Sequence, residues 1–179
     1  DNCMIQLPRI SRMFGPEPIH NNNGGGNRSR RTFFERKDLM AEYTNAGIAT
    51  VAPGQNVPLS ETAASGNASI VHRAGAGLVT LRGLTNQYRA KFRMAFGGNI
   101  AIPAGGTVEA ITAALTINGE PLPTSVATVT PAAVENCFNI YVSASVDVPR
   151  GCCVTVAMRN TSAQAINFAN SNMEVVRTA

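Results

Sequence analysis

The amino-acid sequence predicts an all-β fold, and three of its features support this prediction. From about residue 46 to the end of the chain, apolar and polar residues alternate with a period of two, which is typical of strands with one buried face. Sixteen glycines and ten prolines supply turn residues between these segments. Aromatic residues make up 6% and charged residues 15% of the chain, and tryptophan is absent. This composition favours short strands of small side chains over helices.

The length of 179 residues is enough for one domain with an additional segment and too short for two full domains. Fifteen lysines and arginines against eleven aspartates and glutamates give a net charge of +4, which is too small to indicate nucleic-acid binding by itself. No apolar run approaches the roughly 18 residues that a membrane-spanning helix requires, so we expect no membrane insertion.

Segment 88–96 is the clearest predicted strand, because apolar and charged side chains alternate strictly along it. Its apolar positions are Tyr88, Ala90, Phe92, Met94 and Phe96, and its cations are Arg89, Lys91 and Arg93. One face is therefore expected in the core and the other in water. Further strands are predicted at 47–51, 57–59, 69–74, 78–84, 107–118, 125–129, 138–148, 153–159 and 165–177.

Turn sequences separate these strands. Asn118-Gly119 is the strongest hairpin signal, because both residues tolerate the left-handed conformation that a tight two-residue turn requires. Eight to ten short strands in about 130 residues predict a two-sheet sandwich of the jelly-roll type.

Residues 1–45 differ in composition from residues 46–179, and we interpret them as an extended N-terminal arm on the jelly-roll domain. They contain the Asn/Gly run 21–27, which cannot bury apolar surface and is typical of a linker. The segment Arg36–Tyr43 is predicted to form a short helix that leads into the domain.

A basic and aromatic cluster lies within this arm. Its members are Arg28, Arg30, Arg31, Phe33, Phe34, Arg36 and Lys37. Such residues can neutralise phosphates and stack on bases. We favour the alternative that both phenylalanines bury in a groove of a neighbouring subunit while the cations stay solvated or pair with its carboxylates. The cluster is therefore predicted to anchor the chain to a protein lattice, and nucleic acid is the less favoured partner.

Several segments of the domain resemble a known family. They are 56–59 (Asn-Val-Pro-Leu), 66–70 (Gly-Asn-Ala-Ser-Ile), 75–81 followed by Gly83 and the 88–96 strand, and 114–123. Together they are similar to the C-terminal domain of collagen-like spore-surface glycoproteins of the BclA type, which belongs to the tumour-necrosis-factor-like (TNF-like) and complement-head-like jelly rolls. A strand leading into Val-Asn-Gly-Xaa-Pro-Val-Pro is characteristic of that family, and here it stands as Leu115–Pro123.

The resemblance covers roughly residues 46–179, and it implies a homotrimer of ten-stranded sandwiches displayed on the outside of a cell or spore. Related domains also occur in phage structural proteins. Family members at spore surfaces carry Gly-Xaa-Yaa repeats before the head, whereas residues 1–45 contain no such array. We therefore expect that the arm replaces the collagen-like stalk.

From these features we predict a non-enzymatic structural component on the outer surface of a virion, spore or cell. It would be a homotrimeric head, anchored to the surface assembly by its arm. The alternative is a receptor- or glycan-binding head of a surface fibre, used in host attachment. In that case the loops Pro53–Asn56, Asn99–Gly106 and Gly119–Thr124 would carry recognition.

The four cysteines and two histidines do not have the spacing of a metal site. Cys152 and Cys153 are adjacent, whereas zinc ligands usually come in pairs two to four residues apart. A disulfide between Cys137 and either Cys152 or Cys153 is expected, because these cysteines flank strands that can be neighbours. Buried free thiols are the alternative. We predict no metal and no cofactor.

No catalytic constellation can be assembled from the sequence. His72 lies in an apolar strand and is expected to be structural, and the carboxylates are scattered singly. Neither Gly-x-Ser-x-Gly nor a phosphate-binding Gly-x-Gly-x-x-Gly occurs in a suitable context. We therefore predict that the protein is not an enzyme. Three sequons, at Asn27, Asn67 and Asn160, are candidate glycan acceptors in a eukaryotic secretory context.

Overall fold

The alternating segments form ten strands in a computed structural model that describes residues 39–179. The strands are β1 (Met40–Val51), β2 (Glu61–Ala64), β3 (Ile70–His72), β4 (Val79–Arg82), β5 (Arg89–Ala101), β6 (Ile111–Ile117), β7 (Glu120–Val129), β8 (Phe138–Pro149), β9 (Cys153–Asn160) and β10 (Ile166–Arg177). No α-helix occurs between residues 39 and 179. The predicted all-β jelly roll is confirmed.

The strands form two five-stranded antiparallel sheets. Sheet A has the order β2-β1-β10-β5-β8, and sheet B has the order β3-β4-β9-β6-β7. From β4 onwards the chain crosses from one sheet to the other at every connection except the β6–β7 hairpin. This wiring is that of a jelly roll, in which many strands that are adjacent in a sheet are distant in sequence, such as β1 and β10.

The core lies between the two sheets and follows the alternation seen in the sequence. In β5 the side chains of Phe92, Met94 and Phe96 are fully buried, whereas the intervening cations are exposed. Phe96 meets Phe168 of β10 edge to face, with ring centroids 6.3 Å apart. Sheet A therefore has one face in the core and one face outside.

Tyr88 is an exception to the predicted pattern, because it is 91% exposed. Strand β5 begins at Arg89, and Tyr88 lies in the bend before it, where the pleat no longer sets the direction of the side chain. Its carbonyl oxygen accepts a hydrogen bond from the backbone N–H of Arg150. The prediction that Tyr88 faces the core is wrong.

The start of the sandwich also differs from the sequence prediction. The predicted helix Arg36–Tyr43 is wrong over its last four residues, because Met40–Tyr43 are the first residues of β1. These residues pair with Val176–Met173 of β10, and this tertiary pairing outweighs a weak local helical preference. Strand structure therefore begins before residue 46, where the arm was predicted to end.

Two short segments were also predicted differently. Residues 57–59 form no strand, although Val57 and Leu59 are buried and the Val57 N–H donates to the carbonyl of Met158. Strand β2 was missed, because its sequence, Glu-Thr-Ala-Ala, has no apolar alternation. It is a short edge strand beside β1, and its position depends on backbone pairing alone.

The sandwich has two distinct ends. The chain enters β1 at the end that carries loops 83–88 and 149–152, which we name the arm end. The opposite end, which we name the far end, carries loops 52–56, 103–110, 130–137 and 161–165. Two of the predicted recognition loops, Pro53–Asn56 and Asn99–Gly106, therefore lie together at the far end. The third, Gly119–Thr124, follows the β6–β7 turn, which points towards the arm end.

Candidate interaction surfaces

The outward face of sheet A, which we name the A face, is formed by alternate residues of β1, β10, β5 and β8. Its most prominent side chain is Tyr141, which is 65% exposed and lies in β8, an edge strand of the sheet. Tyr141 is paired with Gly97, and a Cβ built at Gly97 would lie 3.8 Å from the Tyr141 ring. Because Gly97 has no side chain, the surface of the sheet is recessed beside Tyr141.

A hollow of about 280 Å³ lies beside Tyr141 on the A face. Its lining comprises Arg93, Ala95, Tyr141, Glu174, Val176 and Thr178. The small side chain of Ala95 forms the floor, and the longer side chains form the rim. The hollow is large enough to accept a bulky side chain from another molecule.

Side chains on the rest of the A face form hydrogen bonds with one another across neighbouring strands. Thr50 Oγ1 donates to Asn167 Oδ1 at 2.7 Å, and Asn139 Nδ2 donates to Asn99 Oδ1 at 3.2 Å. Asn172 Nδ2 likewise donates to the Glu42 carboxylate. Because these polar groups already have partners, covering the face would cost less free energy than burying unpaired amides.

The loops at the far end are held in place by side-chain hydrogen bonds to the backbone. The Gln164 amide donates to the carbonyl of Thr107 at 2.7 Å and accepts from its N–H at 3.0 Å. Asn160 is fully buried and donates to the carbonyls of Val51 and Gln164. The loops therefore present a preformed surface. The far-end loops carry two charged residues, Glu109 and Glu135, and no lysine or arginine.

The predicted Asn118-Gly119 turn is present, with positive φ values of 51° and 87°. The Asn118 side chain accepts a hydrogen bond from the Thr155 N–H, and Arg159 Nη1 donates to the Gly119 carbonyl at 2.7 Å. The hairpin tip is thus tied to β9. Its sequence signal was sufficient to predict it, because the two-residue turn requires residues that tolerate positive φ.

Two backbone loops meet at the arm end. The Gly83 N–H donates to the carbonyl of Cys152, and the Gly151 N–H donates to the carbonyl of Gly83. A Cβ at Gly83 would lie 2.1 Å from the carbonyl oxygen of Pro149, so only glycine allows this close approach. Beside this junction is a cleft of about 340 Å³ lined by Asn86, Gln87, Tyr88, Pro149 and Arg150. No pattern in the sequence indicates this cleft, and Tyr88 was expected to face the core.

The predicted disulfide between Cys137 and the vicinal pair is wrong. Cys152 and Cys153 are both free, and Cys137 is disulfide-bonded, so neither of them is its partner. Cys137 precedes β8 and Cys152 follows it, and a strand of 12 residues spans about 40 Å at about 3.3 Å per residue. Disulfides require Cα atoms within about 7 Å of each other. The alternative prediction of buried thiols is also wrong for Cys152 and Cys153, because both are exposed.

The remaining predicted sites are the basic and aromatic cluster and the sequons. The cluster of Arg28, Arg30, Arg31, Phe33, Phe34, Arg36 and Lys37 lies outside the described residues. The sequon at Asn160 is unsuitable for a glycan, because its amide is buried and donates to two carbonyls. At the sequon of Asn67, the side-chain oxygen accepts from the Ser69 N–H at 2.8 Å.

Two further kinds of feature are absent from residues 39–179. No group of three or more His, Cys, Asp or Glu side chains in this range is placed to hold a metal ion. The same residues form no helix that is long and apolar enough to cross a membrane.

Comparison with solved structures identifies the fold. The Eiger TNF of S. frugiperda superposes with a TM-score of 0.57 and 12% sequence identity, over 79% of this chain and 92% of that chain. The fold is TNF-like. The globular domain of zebrafish complement 1qA matches this TNF-like sandwich with a TM-score of 0.50 and 8% identity, over 79% of this chain and 98% of that chain. No protein-family model and no curated protein matches the chain. The narrower resemblance to BclA-type glycoproteins stays a prediction.

His72 and Tyr43 form a contact between the edges of the two sheets. Their ring centroids are 4.2 Å apart, and His72 Nε2 lies 2.9 Å from the carbonyl oxygen of Ala76. These contacts agree with the structural role predicted for His72. Burial raises the pKa of the Tyr43 phenol above its usual value of 10.0.

The raised pKa of Tyr43 makes the stability of the protein depend on pH in the alkaline range. Above pH 10.0 the unfolded chain loses the tyrosine proton while the folded protein retains it, so the free energy of unfolding falls as the pH rises. We expect urea unfolding between pH 8.5 and about 11 to show this fall, and Tyr43→Phe to remove part of it. Tyr88→Phe, at an exposed tyrosine, is the control, and an equal effect of both substitutions would contradict the assignment.

Proposed function

We propose that this protein is a non-enzymatic structural component of a surface assembly: a homotrimeric TNF-like head held by its N-terminal residues on the outside of a virion, spore or cell. Three copies would associate through their A faces. The observation that carries the proposal is Tyr141, an aromatic side chain that stands exposed on the edge strand β8, beside a hollow of the A face.

The dimensions of the A face support this assignment. The four long strands β1, β10, β5 and β8, each about 4.8 Å wide and about 40 Å long, give a face of about 760 Å². Stable protein interfaces bury about 800 Å² on each partner. The face also carries the exposed side chains of Ile48 and Tyr141 and the half-buried Val176, whose further burial is favourable by roughly 25 cal/mol per Å².

The chemistry of the face changes along its length. Its far half, around Ile48, Asn99 and Tyr141, is uncharged, whereas the half near the arm end carries Arg89, Lys91, Arg93, Asp147 and Glu174. In a cyclic trimer the uncharged half would be buried in the subunit contact. The charges of the other half would pair between subunits, which favours one alignment of the copies over others.

Replacing Tyr141 with glutamate tests the trimer directly. A carboxylate at residue 141 would replace the apolar ring and would lose its hydration in the subunit contact, so we expect the mass in solution to fall from three times the chain mass of 18.8 kDa to that of one chain. Light scattering coupled to gel filtration measures this change. Val126→Glu, at a 45%-exposed valine on sheet B, is the matched control and should leave the mass unchanged. A wild-type protein that is monomeric at micromolar concentration would refute the proposal.

The anchoring role is assigned to the cluster around Phe33 and Phe34. Its aromatic side chains would bury in a groove of the assembly, and its cations would pair with carboxylates there. We expect the double substitution Phe33→Ser, Phe34→Ser in the full chain to reduce incorporation into the particle at least tenfold. Gel filtration should still give the wild-type mass. Normal incorporation of this variant would exclude the cluster as the anchor.

A second candidate function is recognition of a receptor or glycan by the far end. The preformed loops held by Gln164 and Asn160 favour it, because ordered loops lose little conformational entropy on binding. If the far end recognises a glycan, the wild-type protein binds on a glycan array, and Val108→Asp at a half-exposed loop residue abolishes this binding. Tyr141→Phe on the A face should leave it intact. Absence of binding by the wild-type protein would dismiss this candidate.

A further inference from the structure

We propose that the arm end carries a binding surface for an acidic protein segment, formed by Arg82, Asn86, Gln87, Tyr88 and Arg150. We name these five residues the arm-end surface. The inference rests on the proposed function, which places the supporting assembly at this end of the head, and it adds the chemistry of the partner. It does not involve the predicted cluster in residues 1–45.

Tyr88 is the central feature of the arm-end surface. It is the most exposed large hydrophobic side chain in the described part of the chain, at 91%, and no hydrogen bond or ring contact to its side chain occurs there. A free-standing tyrosine exposes a large apolar ring to water, and its hydroxyl can still bond to a ligand. Tyrosine and arginine are the residues most enriched among those that dominate binding energies at protein interfaces, and here Arg150 lines the same cleft.

The charge of the surface is not neutralised within the described residues. Between residues 39 and 179 the only ion pair joins Arg89 Nη1 to Asp147 Oδ2, at 2.7 Å. Arg82 and Arg150 are exposed and have no carboxylate partner in that range. Each guanidinium can therefore receive a carboxylate from another molecule through two parallel hydrogen bonds.

The backbone under the surface is rigid, although the surface lies on loops. Loop 83–88 and turn 149–152 are joined by hydrogen bonds from Arg150 N–H to the Tyr88 carbonyl and from Gly151 N–H to the Gly83 carbonyl, each 3.0 Å long. The close approach at Gly83 holds the two loops together. A partner would therefore meet loops whose backbone is already in place, and this reduces the conformational entropy lost on binding.

The shape and composition of the surface favour a protein partner over nucleic acid. The cleft beside Tyr88 has a volume of about 340 Å³, which suits one or two side chains. Its lining includes one aromatic ring and one cation, Arg150, whereas single-stranded nucleic acids bind along grooves with successive stacking platforms and many phosphate contacts. In an acidic protein segment, a carboxylate could bind Arg150 while neighbouring apolar atoms pack against the ring of Tyr88.

The distribution of charge also favours this end over the other for an acidic partner. The far-end loops carry only Glu109 and Glu135 and would repel it. An acidic surface would therefore orient the head with its arm end inward and its far-end loops outward. This orientation is the one that a head anchored by its N-terminal residues requires.

The test uses the full chain and a fluorescein-labelled hexaglutamate peptide, with fluorescence anisotropy at 50 and 300 mM salt. We expect binding that weakens with salt, and a dissociation constant at least fivefold higher for both Arg150→Glu and Tyr88→Ser. Arg73→Glu, at an exposed arginine on the β3–β4 turn, is the matched charge control and should change the constant less than twofold. Each variant must keep the wild-type mass and thermal melting curve.

Four results would overturn the inference. One is the absence of peptide binding by the wild-type chain. Another is equal weakening by Arg73→Glu, which would show a response to net charge alone. A third is tighter binding of single-stranded DNA or a heparin fragment that depends on Tyr88 and Arg150, because it would make the partner a nucleic acid or a polysaccharide. The last is an increase in the mass of the protein in solution at low salt without peptide. This would mean that the arm end binds the acidic far end of another copy.

These outcomes are independent of the proposed trimer. A monomeric chain that still binds hexaglutamate through Tyr88 and Arg150 would refute the trimer and retain the acidic partner. A trimeric chain that binds no peptide would refute only the arm-end surface.

Discussion

The burial of the inward faces of β5 and β10 is the interaction on which the rest of the molecule depends. Phe92, Met94, Phe96 and Phe168 fill the space between the sheets, and each is fully buried. A shift of one residue in the pairing of either strand would move these side chains to the outside. The same pairing therefore determines which residues face outward, so the composition of the A face follows from the core.

The two kinds of candidate surface differ in how the fold produces them. The A face is a regular sheet surface, and its shape comes from small residues such as Gly97 and Ala95 beside the large Tyr141. The arm-end surface lies where two loops meet, and its shape comes from the backbone contact at Gly83. A sheet face whose polar groups are already hydrogen-bonded can be covered at a low cost in free energy, whereas a cleft beside an unpaired arginine suits an acidic partner.

The cysteines illustrate a limit of spacing arguments in an all-β chain. Cys137 and Cys152 are separated by 15 positions, which in a compact loop could bring them close together. Here β8 lies between them and is extended, so residues near in sequence stand at opposite ends of the sandwich. Conversely, β1 and β10 are far apart in sequence and pair over almost their full length. Sequence distance alone does not indicate spatial distance in a jelly roll.

The sequence by itself determined the fold class, most of the strands and the Asn118-Gly119 hairpin, because the period-two alternation and the turn residues act locally. It also determined which side of β5 enters the core. Only the tertiary structure decided that Met40–Tyr43 are strand, that Tyr88 turns outward and that Arg82 and Arg150 lie at one end with it. These features depend on contacts between segments that the chain brings together from different strands, and no local pattern of side chains encodes such contacts.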